Sequence, residues 1–123
     1  MDPINWAAVA VSSALAPVTG LLWYRVVLKH PRSGVWNAAV AAALHFVAAL
    51  MIGHALARIG ADRLAVKPWL YWMQTGGIAL AFIIPAVWTS YIRIGARFRD
   101  AMADAGYWVA VYLVTGTVFW AFR

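Results

Sequence analysis

The chain has 123 residues, 65% of them apolar and only 11% charged, a composition that excludes an ordinary soluble fold and fits one small membrane domain. Lysine and arginine outnumber acidic residues 10 to 4, but they stand singly in short gaps between apolar runs, which suits headgroup contact and topology, not nucleic acid. The absence of cysteine excludes disulfides, thiolate metal sites and cysteine nucleophiles, and there is no glutamate.

The first apolar stretch, Ile4 to Tyr24, contains Ala14-Leu15-Ala16, the small-x-small form of a signal cleavage site. No Lys or Arg precedes it and Pro17 would follow the cut, so it reads as a retained helix over about residues 4–24. Ala8, Ser12, Ala16 and Gly20 share one face of that helix, small enough for another backbone to approach closely. Pro17 is expected to kink it. Arg25 to Gly34 follows as a basic loop, with Pro31 and Ser33-Gly34 as breakers.

Val35 to Ile59 is the longest apolar segment, able to cross a hydrocarbon core of roughly 30 Å. Its stripe Ala41, His45, Ala49, Gly53 and Ala57 puts His45 on the small face, against another helix and away from lipid. After a polar gap from Arg58 to Lys67, a third helix is predicted over about 69–92, with Pro68 at its start and Met73, Gly77, Ala81 and Pro85 as its small face. Arg93 to Ala103 reads as another basic loop. The last helix is predicted over about 105–122, with Asp104 as its N-cap, and is short for a span.

These elements predict a single all-α domain, a polytopic membrane protein built as a four-transmembrane-helix bundle. The eight tryptophans fall within about a turn of the predicted helix ends, where interfacial anchors belong. Arg25, Lys29, Arg32 and Arg93, Arg97, Arg99 load one side; Arg58, Arg63, Lys67 and Arg123 share the other with an N-terminus lacking Lys and Arg. The positive-inside rule therefore puts both termini outside the cytoplasm.

Alternating helices bring His45 to the depth of Ser12, Ser13 and Tyr112, so His45 is predicted to hydrogen-bond one of these three. His54 and Gln74 share a second level, with His54 facing Gln74 or water. Imidazole can ligate haem or relay protons, but a neutral histidine joining helices needs fewer partners. Asp100 and Asp104, one turn apart, offer an interfacial carboxylate pair if one helix runs through both; capping and ion pairs with Arg97 or Arg99 are the simpler use. No phosphate loop, nucleophile elbow or metal motif is visible, so no catalytic residue, cofactor or metal is assigned. Pro17, Arg25 and Lys29 repeat the spacing of Pro85, Arg93 and Arg97, an internal echo of two helices.

Leu22-Trp23-Tyr24, Asp104-Ala105-Gly106-Tyr107, Gly116 and the terminal Phe122-Arg123 give the chain a resemblance to a bacterial four-span family, the domain of unknown function seventeen sixty-one. The chain departs from that pattern after Tyr24, where Arg25-Val26-Val27 stands in place of Ser-Pro and an aromatic residue. The resemblance implies four helices in a bacterial inner membrane and brings no catalytic residues. Three readings fit the residues. The first is a helix-packing protein that oligomerises or serves as an accessory subunit to a membrane partner, with bilayer and anionic headgroups as its surroundings. The second is a small oligomeric transporter or channel, and the third a lipid-acting enzyme at the interface.

Overall fold

The computed structural model describes residues 2–27, 29 and 35–123. It is all-helical, with no strand among the described residues: α1 Trp6–Val27, α2 Val35–Ile59, α3 Ala61–Val66, α4 Leu70–Ile78, a π-helical segment Ala79–Ile83, α5 Ile84–Ile94 and α6 Phe98–Ala121. Three helical stretches are long and apolar enough to cross a membrane: α1, α2 from Asn37, and the continuous run Leu70–Ile94. Residues 28 and 30–34 of the expected basic loop, and the side chain of Trp36, lie outside the described residues.

Local chemistry sets the helix ends. Asn5 starts α1, its Oδ1 accepting the N–H of Ala8 at 3.0 Å, as an N-cap side chain does. The helix then continues through Pro17 without interruption. Gly95 ends α5 in the left-handed conformation (φ 67°), and its N–H bonds Ile92 while that of Ala96 bonds Tyr91, the paired closure of a Schellman motif. Only Gly95, Ala96 and Arg97 then separate α5 from α6.

This corrects four expectations. The basic segment Arg93 to Ala103 is mostly helix, and α6 begins at Phe98, so Asp104 sits inside it and is not its N-cap. Nothing between Phe98 and Ala105 breaks a helix, and Asp100 in the first turn complements the dipole. At 24 residues α6 is about 36 Å long, so it is not short. Likewise the gap after α2 contains α3, whose first N–H, from Ala61, is bonded at 2.5 Å by Asp2 Oδ2 and whose Leu64 is buried.

Contacts at the helix ends fix the directions. Asn5 Nδ2 donates to the Phe122 carbonyl (2.7 Å) while Trp23 Nε1 donates to the Ala103 carbonyl (2.9 Å), so α1 and α6 are antiparallel. Asp2 at Ala61 makes α2 antiparallel to α1. Trp72 Nε1 donates to Thr117 Oγ1 (2.9 Å) and the Tyr91 hydroxyl reaches Asp104, so the α4–α5 run opposes α6. α1 packs against both α2 and α6, and α4 against α6. The small residues Ala8, Ser12, Ala16 and Gly20 are all buried on α1, as are His45, Ala49, Gly53 and Ala57 on α2.

The third stretch differs. Met73, Gly77, Ala81 and Pro85 are all exposed, α5 buries no residue, and the run Leu70–Ile94 is far less buried than α1 or α2. Within it the π segment inserts an extra residue, the N–H of Ile84 reaching back to the carbonyl of Ala79 just before Pro85, which has no N–H to give.

Candidate functional site

His45 projects from the small face of α2 and is 4% exposed. Its Nε2 lies 2.9 Å from Thr115 Oγ1 on α6. Thr115 in turn donates its hydroxyl proton to the Val111 carbonyl at 2.8 Å. With that proton spent on Val111, the threonine oxygen is free to accept from the ring, the tautomer in which Nε2 carries the proton and Nδ1 keeps a lone pair. Tyr112 stands edge-on to the same ring, centroids 5.7 Å apart at 90°, a favourable quadrupole arrangement.

The partner is thus Thr115, not Ser12, Ser13 or Tyr112. Ser13 Oγ donates to the Val9 carbonyl of its own helix (2.7 Å), and Tyr112 meets His45 through ring edges. Ser12 Oγ is the buried side-chain atom with no hydrogen bond among the described residues. An alternating sequence of helices gives depth, and Tyr112 and Thr115 are one turn apart at that depth; rotation about each helix axis, set by packing, selected Thr115.

A cavity of about 650 Å³ lies beside this cluster, between α2 and α5 with α6 as its floor. His45, Tyr107, Trp108 and Tyr112 form an aromatic wall, faced by Leu44 from α2 and by Ile83 and Val87 across the gap. Trp108, expected at a helix end, lies three turns into α6 because that helix starts early.

A second cluster sits near the C-terminal ends of α1 and α5. The hydroxyls of Tyr24 and Tyr91 donate to the two carboxylate oxygens of Asp104, so one side chain of α6 joins α1 and α5. Trp23 adds its bond to Ala103, and its ring lies over Gly106, where a Cβ would come within 2.5 Å of it. Tyr107 packs against Tyr24 with the ring centroids 5.4 Å apart and the planes tilted by 38°. One helix does run through Asp100 and Asp104, yet they do not act as a pair: Asp100 takes Arg97 at 3.0 Å on the surface, while Asp104 takes the tyrosines.

His54 is exposed and Gln74 half-buried, with no hydrogen bond between them among the described residues. Sequence reasoning missed Thr115, Tyr24 and Tyr91. Thr115 and Tyr24 each stand at the same depth as their partner, but nothing in a linear pattern gives the azimuth. No group of three His, Cys, Asp or Glu side chains that could hold a metal ion occurs among the described residues. Comparison with protein-family models, with curated proteins and with solved structures finds no match.

Proposed function

We propose that the chain is a multi-pass protein of a bacterial inner membrane, crossing it four times with both termini on the non-cytoplasmic side. In this reading it belongs with the four-span family it resembles and works without catalysis, as an oligomer-forming or accessory subunit. The observation that carries the proposal is the unpartnered face of the third stretch. Met73, Gly77, Ala81 and Pro85 lie exposed along one side of it, and no heavy atom would meet a Cβ at Gly77 within 4 Å. In α1 and α2 the same kind of small-residue face is buried against another helix. Lipid gains little from small residues, whereas a second helix gains close backbone approach.

The natural absence of cysteine makes the test direct. Ala81→Cys in native membranes should yield a disulfide-linked dimer on mild oxidation, while Val47→Cys, on the apolar outer side of α2, should not. A chain that runs as a bare monomer in mild detergent, with no cross-link at position 81 to itself or to any other protein, would refute the reading. Reporter fusions at the two termini should both indicate the non-cytoplasmic side.

A further inference from the structure

We infer that the cavity between α2 and α5 is a binding site for a neutral, hydroxyl-bearing lipid that enters from the bilayer. Its volume of about 650 Å³ falls within the range of small-molecule sites, about 300–1,000 Å³. Val40 and Leu44, both exposed apolar residues of α2, line it, so in the membrane reading proposed above it is open to the hydrocarbon. The far wall begins at Ile83, the last residue of the π segment, and continues along α5, which buries nothing. Such bulges recur at functional sites because they re-aim the helix that follows.

Two side chains more than nine-tenths buried supply the polar recognition. His45 and Tyr112 are each 4% exposed and both line the cavity. Thr115 occupies His45 Nε2 as a hydrogen-bond acceptor, which leaves Nδ1 as an acceptor; the Tyr112 hydroxyl has no hydrogen-bond partner among the described residues and is not sealed off. An acceptor on His45 and a donor on Tyr112, two edge-on rings that both line the cavity, suit a hydroxyl-bearing ligand, whose hydroxyl can give a proton to the imidazole or accept one from the phenol. No charged residue lines the cavity, so a phosphate or ammonium headgroup would be stripped of water with nothing to pair it. The ligand is therefore neutral. Diacylglycerol and prenylated hydroquinones share this chemistry, and the aromatic wall accepts either a chain or a flat ring.

The full chain in phosphatidylcholine nanodiscs is photolabelled with a diacylglycerol bearing a diazirine in one acyl chain, with mass spectrometry locating the adducts. Label should concentrate on residues 37–48 and 83–87, and unlabelled diacylglycerol should displace it at least fivefold better than its O-methyl ether. A prenyl hydroquinone is run against its dimethyl ether in parallel; whichever hydroxylated competitor is stronger identifies the source. Tyr112→Phe keeps the ring edge on His45 and removes only the hydroxyl, so it should weaken labelling about fivefold to tenfold with helicity unchanged. His45→Phe should do the same. Equal competition by the ethers, adducts spread evenly to exposed Met51 and Phe82, or undiminished labelling of Tyr112→Phe would overturn the inference. None of these outcomes depends on whether the chain forms an oligomer.

Discussion

Replacing Thr115 by valine removes one hydroxyl from the junction of α2 and α6 and leaves the side-chain volume almost unchanged. In the wild-type chain that hydroxyl accepts the His45 Nε2 proton at 2.9 Å, between residues that are 1% and 4% exposed. Leaving a buried N–H without an acceptor costs about 1–3 kcal/mol in soluble proteins. Within membranes the measured coupling of such bonds is smaller, about 0.6 and at most about 1.7 kcal/mol, because the unfolded helices also find partners. The cavity beside the ring gives His45 room to reorient, which favours the lower part of the range. A loss of about 1 kcal/mol is expected, roughly a fivefold change in the folded-to-unfolded ratio. Thr75→Val is the control: Thr75 is equally buried, but its hydroxyl bonds only the Tyr71 carbonyl of its own helix, at 3.0 Å. Reversible unfolding in mixed micelles would measure both, and a double-mutant cycle with His45→Phe should return nearly the whole Thr115 effect as coupling. If Thr115→Val costs no more than Thr75→Val, or if the cycle shows no coupling, the His45–Thr115 bond does not join the helices and the tautomer argument built on it fails.

Gly116→Ala should be among the most damaging single changes, since the new Cβ would stand 2.6 Å from Thr75 Oγ1 and 3.1 Å from the Tyr71 carbonyl; a loss of about 1–3 kcal/mol by the same unfolding measurement is expected. Asp104→Ala should cost about 2 kcal/mol by stranding the Tyr24 and Tyr91 hydroxyls, whereas Asp100→Ala, breaking an exposed pair with Arg97, should cost under about 1 kcal/mol. Equal effects of the two aspartates would show that the tyrosine contacts do not hold the helices. Ser12→Ala should raise the melting temperature slightly, by up to about 1 kcal/mol of stability, because it removes a buried hydroxyl that has no partner among the described residues.

The amino-acid sequence by itself determined the helical, membrane-compatible character of this protein. Uninterrupted apolar length is a local property, so α2 runs from Val35 to Ile59, as its composition and flanking residues require. Small residues spaced by one turn likewise marked the close-packing faces of α1 and α2, since that spacing defines a helix face whatever lies opposite. The limits of α6 were less legible. The charges from Arg97 to Asp104 resemble those of a loop, yet a left-handed glycine at position 95 closes α5 and lets the next helix start at once.

Only the tertiary structure decided which polar groups meet. Depth along a helix follows from counting residues, but the rotation that aims a side chain follows from the packing of all neighbours together. That rotation gave His45 to Thr115, drew Asp104 inward to Tyr24 and Tyr91, and left Ser12 without a partner among the described residues. It also opened the cavity between α2 and α5. The π segment before Pro85 begins one wall of it; Pro85 is visible in the sequence, but the neighbours that complete the cavity on α2 and α6 are not.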